Sequence, residues 1–352
     1  MERGRNCQAY NFGVGISALG VSTDGKAVLL GHNDGSLTLF DVTTGRRVPS
    51  FEAHNGAVHG ITFLSSRTAV SISREDSTIR AWDVHTGGAK GMVRPNAVPN
   101  VVARMSETAV VVGSTKGMIY AVEWNDGKGH IRTAEKMASA ARNPVAVTGV
   151  SVCGNRFVSV SDDNVVRIWE AESMRCLKKV SGVQALCAGL SGEHVVVCGS
   201  GGIYNEIQTL YVLSAEAPFK QVINKRMKDL HSRMQVVGNN TVVLQSPNGK
   251  VVRVYELSGM VHLMDIRVGA AAGDFKMVGD GRMAVACGRR LMMIDTAPEV
   301  DGVAVNRLTY GPARVISVGR ESGERGEVRR LRLKVALRAV VCACFVAALG
   351  GA

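Results

Sequence analysis

Aromatic side chains make up only 5% of this 352-residue chain and prolines number eight. Neither an aromatic platform for stacking bases nor a proline-rich extended scaffold is therefore written into the composition. Paired metal-type cysteines are also missing. The eight cysteines stand at 7, 153, 176, 187, 198, 287, 342 and 344 with no CxxC spacing, which gives no zinc framework. Several lie in apolar runs, such as Cys198 in HVVVCGS and Cys287 in MAVACG, and read as buried free thiols of a reducing compartment. The opening MERGRNCQAYNF lacks the apolar core and small-residue cleavage site of a signal peptide. An intracellular location, cytoplasmic or nuclear, is expected, and membrane association is not. Residues 1 to 320 also contain no long run with the three-and-four spacing of an amphipathic helix.

What is present is glycine, 40 residues, together with 46% apolar and 20% charged residues. Such a chain can bury a core, and its tight turns must be made by glycine. The net charge of +12 is uneven: residues 301–352 hold nine basic and four acidic residues, or +5, which leaves +7 for the first 300. The densest basic stretch before the tail is 220–233, with Lys225, Arg226, Lys228 and Arg233 against Asp229. It reads as a solvated outer strand and loop.

One segment type recurs, a short alternating apolar run that usually ends in a carboxylate. Its instances are SLTLFD, TIRAWD, MIYAVE, VVRIWE, QTLYV, VVRVYE and LMMID. Their reference positions are Phe40, Trp82, Val122, Trp169, Tyr211, Tyr255 and Ile294, spaced 42, 40, 47, 42, 44 and 39 residues apart. A fixed period of about 40 residues is the mark of a repeat architecture. Within a repeat the apolar pattern has period two, as on strands. Residues 57–83 hold three strand-like runs separated by turns, and Asp24-Gly25, Asp34-Gly35, Asn248-Gly249 and Asp280-Gly281 supply hairpin-turn chemistry. The reading is an antiparallel all-β repeat protein.

AHNGAVHGITF, ISREDSTIRAWD and SVSDDNVVRIWE resemble the WD40 repeat, whose four-stranded blades pack radially into a β-propeller. The resemblance implies an all-β, seven-bladed WD40-type propeller over residues 16–310, preceded by a segment 1–15 and followed by a non-propeller extension 311–352. It also implies a hydrogen-bonded network in each good blade. Blade two offers His54, Asp76 and Trp82, with Arg74 standing where the family's hydroxyl belongs. Blade four offers Ser161, Asp163 and Trp169 without the histidine. These residues read as structural, not catalytic, because buried polar groups persist when hydrogen-bonded to one another.

No phosphate loop, nucleophile elbow, HxH or HExxH spacing occurs, so no enzyme activity, cofactor or metal is expected. Function then falls to the surface. The family's contact ring, carried over by position, gives Ser17 and Asn33 in blade one, His59 and Glu75 in blade two, and Pro99 and Thr115 in blade three. Thr148 and Asp162 follow in blade four and Gln184 in blade five. The expectation is a non-enzymatic scaffold or adaptor in a multi-protein complex, holding a protein or peptide of basic or polar character on this rim. The alternative, carried by net charge and the 220–233 stretch, is an RNA-associated propeller subunit of a ribonucleoprotein, nucleic acid being the secondary expectation. For closure of the last blade, residues 7–12 and 303–310 compete to be its outer strand, and 303–310 is favoured by spacing. The tail after 310 fits an amphipathic or disordered extension, a short anchor over 339–349, or a truncated further repeat.

Overall fold

The computed structural model describes residues 7–49, 51–125, 128–133, 145–181, 184–192, 194–201, 207–214, 221–226, 233–238, 240–246, 248–257, 261–268, 272–278 and 281–296. These form seven four-stranded antiparallel sheets. We call the sheets blades and label their strands a to d in spatial order. The a strands of successive blades touch one another round a closed circuit, the seventh meeting the first, so they line a central channel. The chain is a seven-bladed β-propeller.

Sequence alternation dictates the packing. In blade two, strand b (Thr68–Ser73) and strand c (Thr78–Asp83) are nearly all buried, while strand d (Gly88–Val93) is exposed except at its end. Core clusters form between neighbouring sheets: Leu29, Leu37 and Leu39 of blade one meet Ile61, Phe63 and Trp82 of blade two. A blade therefore has no private core, and each sheet buries its faces only when its neighbours are present. Positive φ falls on Gly25, Gly35, Gly249 and Gly281, the glycines of the Asp-Gly and Asn-Gly pairs. Gly35 has a second constraint, since a Cβ there would run into the carbonyl oxygen of His54 in the next blade.

Closure differs from the expectation. Strand d of blade seven is Cys7–Asn11, which pairs antiparallel with strand c (Arg290–Asp295) from Cys7 opposite Ile294 to Asn11 opposite Arg290. The favoured segment 303–310 lies outside the described residues, as does the tail 311–352. The physical reason for the N-terminal choice is that this strand carries its own anchors. Tyr10 meets Phe40 edge-on at 4.6 Å between ring centroids, and Phe12 lies 6.4 Å from the same ring. The Arg47 guanidinium stacks 4.3 Å above Phe12 and donates to the Asn11 carbonyl at 2.6 Å. Strand Cys7–Asn11 thus bonds to blade seven and packs on blade one. Inside the channel, Asp274 of blade seven accepts from the Leu19 backbone N–H of blade one at 3.1 Å and from Arg233 of blade six at 3.0 Å. One carboxylate ties three blades at the seam.

Cys187, Cys198 and Cys287 are buried, as their apolar runs imply, whereas Cys7 is exposed on the closing strand. Burial pushes the Cys287 thiol up to about 11. Among the described residues no helix is long and apolar enough to cross a membrane.

Candidate partner-binding rim

Blade two shows how the sequence builds a rigid rim. The Trp82 indole N–H donates to Ser71 Oγ at 2.8 Å, and Ser71 Oγ lies 2.7 Å from His54 Nε2. His54 Nδ1 reaches Asp76 Oδ2 at 2.9 Å, while Thr78 Oγ1 donates to Asp76 Oδ1 at 2.7 Å. In the neutral imidazole that burial favours, Nδ1 carries the proton toward the Asp76 carboxylate and Nε2 accepts the Ser71 hydroxyl. Ser71, not Arg74, is the hydroxyl of this network. The register explains the correction: Ala69 lies opposite Trp82, so Ser71, two residues on, points to the same face as the indole. Arg74 sits beyond the strand in the turn and is exposed.

Blade four solves the same problem without a histidine. Trp169 donates to Ser159 Oγ at 2.9 Å and stacks on Phe157 at 5.7 Å, so Ser159, not Ser161, receives the indole. Ser161 Oγ donates to Asp163 at 2.7 Å, and the nearly buried Arg167 side chain donates to Ser161 Oγ at 2.8 Å and forks onto Asp163. Arg167 fills the role that His54 plays in blade two, with a permanent charge matched to a carboxylate. In blade two the corresponding Arg80 is held further out, 3.2 Å from Asp76 and 24% exposed, because His54 occupies the inner position.

Protonation follows from this packing. Burial lowers the affinity of His54 for a proton, opposed by its hydrogen bond and charge contact with Asp76, and burial likewise lowers His32, which bonds Thr38 in blade one at 2.9 Å. Burial alone would raise Asp76 and Asp163. Hydrogen bonds from Thr78 and His54, and from Arg167 and Ser161, outweigh it and hold both carboxyls below the ordinary range. The sign of the pH effect is then fixed. Below about pH 6.5 the unfolded histidines take up protons that the folded ones refuse, and below about pH 4 the unfolded carboxylates do the same. The melting temperature should be flat from pH 8 to 7, fall below about 6.5 and fall more steeply below about 4. A melting temperature that rises on acidification to pH 5 would contradict neutral, buried His32 and His54.

These networks set the loops that join strands b to c and strand d to the next strand a. Both loop sets lie at one end of the blades, as shown where the Ala53 and His54 backbone N–H groups donate to Gly35 O across from blade one. Here Asn33, Glu75, Thr148 and Asp162 are exposed, and Ser17, His59 and Thr115 are half-buried. Glu75 Oε2 accepts from Ser73 Oγ at 3.0 Å and lies 3.4 Å from His59 Nδ1, so Glu75 and His59 form one local group. Four of the a strands begin with the same irregularity: the pairing skips one residue at Ser17, Asn100, Thr148 and Leu186. A bulge of this kind re-aims the extra side chain. Ser17 and Thr148, two of the expected rim residues, are thus bulged residues, each with its hydroxyl turned to a carbonyl of strand b.

In blades three and five the bulge falls on a different residue from the one expected on the rim. Pro99 is buried and paired opposite Ser114, and the bulged position is Asn100, which is itself buried and donates to Val147 O at 2.7 Å. Gln184 pairs in the sheet opposite Ser200, and the bulged residue is Leu186, 36% exposed. Nothing in the spacing of Gln184 distinguishes it from Leu186. A one-residue bulge breaks the alternation from which strand faces are read. Among the described residues no group of His, Cys, Asp or Glu could hold a metal ion.

The WD domain, G-beta repeat model matches residues 45–83 and 137–170, which contain the Trp82 and Trp169 strands. Pre-mRNA-processing factor 17 of Saccharomyces cerevisiae is 25% identical over 162 residues, 45% of this chain and 35% of that protein. Autophagy-related protein 16 of Arabidopsis thaliana is 25% identical over 175 residues, 48% of this chain and 33% of that protein. Pre-rRNA-processing protein crb3/ipi3 of Schizosaccharomyces pombe is 22% identical over 220 residues, 47% of this chain and 48% of that protein. The matches thus span less than half the length of these relatives. The β-propeller domain of Cps50 (Swd1) from Myceliophteria thermophila superposes with a TM-score of 0.66 at 13% identity, over 83% of this chain and 99% of that one. With seven radial blades, the buried Trp82 and Trp169 networks and the two matched segments together, the chain is a seven-bladed β-propeller whose blades two and four match the WD40 repeat.

Proposed function

We propose that the chain is a non-enzymatic scaffold or adaptor of an intracellular multi-protein complex, and that it holds a protein or peptide partner on the rim formed by the b–c and d–a loops. One observation carries this reading. The residues that could be mistaken for acid–base machinery, His54, Asp76, Arg167 and Asp163, are spent on one another inside blades two and four, while the rim they fix leaves Asn33, Glu75, Thr148 and Asp162 open to solvent. Loops on a rigid scaffold are where binding residues concentrate. Glu75 and Asp162 favour a partner with basic or polar groups. Leu186 adds an apolar contact to the ring.

A second reading has its own support. Two of the similar proteins carry pre-mRNA and pre-rRNA processing in their names, and the chain is basic at +12. In that reading the protein is a subunit of a ribonucleoprotein and meets RNA directly. Affinity purification from source cells with and without nuclease separates the two. A rim-bound protein should stay after nuclease and depend weakly on salt. Loss of every partner on nuclease treatment, with a steep salt dependence from counterion release, would favour RNA.

A further inference from the structure

The outer strands of blades two, three and four carry a second surface, away from the rim. Gly88–Val93, Lys128–Thr133 and Cys176–Val180 contain Lys90, Lys128, Arg132, Lys178 and Lys179 and no carboxylate. All five cations are exposed. Lys90 donates to Thr68 Oγ1 at 2.7 Å and Arg132 to the Glu172 carbonyl at 3.1 Å, so neither contact neutralises its charge. The same strands hold Met92, Ile131 and Leu177, exposed by 58%, 37% and 37%, which are three of the five exposed large apolar side chains among the described residues. The wall is continuous. Gly129 of blade three lies against Val93 of blade two, where a Cβ would collide with the valine side chain, and the Arg132 bond to the Glu172 carbonyl joins blade three to blade four. The outer strands of blades six and seven differ: Cys7–Asn11 has no charge, and Val261–Arg267 sets Asp265 beside His262 at 2.7 Å.

We propose that this side wall docks an acidic protein segment bearing aliphatic side chains. Five like charges, none in an ion pair with another of the described residues, attract a polyanion, and their field steers its approach. Interleaved aliphatic residues decide which polyanion. Single-stranded nucleic acid is held by stacking on large aromatic side chains as well as by charge, and these three strands contain no Phe, Tyr or Trp, His130 being their one ring. Apolar side chains beside carboxylates would instead cover Met92, Ile131 and Leu177 while their carboxylates meet the lysines. The wall also belongs to terminal strands of their sheets, so each keeps one backbone edge outside the blade's ladder.

The test uses the full chain and fluorescence anisotropy with three probes: a labelled peptide of alternating Glu and Leu, its Lys–Leu counterpart, and a 20-nucleotide oligouridine. The Glu–Leu peptide should bind, and the Lys–Leu peptide should not. Lys90→Glu, Lys128→Glu and Lys178→Glu together should weaken the Glu–Leu peptide at least about tenfold, and the milder triple change to Gln should weaken it in the same direction. Met92→Ser with Leu177→Ser should weaken it at least about threefold at unchanged net charge. Glu75→Lys with Asp162→Lys should leave it unchanged, which keeps this surface distinct from the rim. The proposal is overturned if the peptide fails to bind, if either lysine triple leaves its affinity intact, or if oligouridine binds the wall more tightly than the peptide.

Discussion

Replacing Trp82 by alanine is expected to cost about 3 to 5 kcal/mol, the range for truncating a large buried aromatic. The indole is 4% exposed, packs 5.4 Å from the Phe51 ring and donates to Ser71 Oγ at 2.8 Å. Truncation leaves a cavity shared by two blades and strips the Ser71–His54–Asp76 chain of its first donor. Glu75→Ala should stay within about 0.5 kcal/mol, as a surface change. Chemical denaturation of the two variants checks the contrast. Equal midpoints would mean that blade two is not built around the Trp82 network.

Removing residues 2–12 is expected to be more damaging than any single substitution, lowering the midpoint beyond that of the Trp82 variant or abolishing cooperative folding. The strand Cys7–Asn11 completes blade seven along its five paired residues, and Tyr10 and Phe12 cover the core between blades seven and one. A propeller without this strand leaves an unpaired edge at the seam. A chain ending at residue 302, which lacks the 303–310 segment, should instead keep its midpoint. If the two truncations behave the other way round, the ring is closed by the C-terminal segment.

Much of this architecture was legible in the repeat. The seven strand ends from Phe40 to Ile294 fall on strand c of the seven blades, because alternation and Asp-Gly turns are local signals that the propeller leaves unaltered. Long-range choices were not legible. Both ends of the chain offered a strand for the seam, and only the packing of Tyr10 and Phe12 on Phe40 decides between them. Ser71 is not legible as the network's hydroxyl, because spacing from the tryptophan does not reveal which strand face a hydroxyl takes. Arg167 as a substitute for histidine requires seeing that its side chain turns inward. Asn100 and Leu186 were displaced from their expected neighbours by bulges that no composition signal marks. The basic wall is not legible in the sequence because its lysines are about one repeat apart, whereas residues 220–233 concentrate theirs in one stretch.

The central claim is that partner recognition resides on the rim that the blade networks hold in place. The direct measurement is the affinity of the nuclease-resistant partner for the wild-type chain and for Glu75→Lys combined with Asp162→Lys, with the melting temperature of each. The account predicts at least about tenfold weaker binding, as for charge reversal at an interface, with an unchanged melting temperature. Unaltered affinity in the doubly reversed variant, or a chain ending at residue 310 that folds yet loses every partner, would contradict it and move the binding surface off the rim.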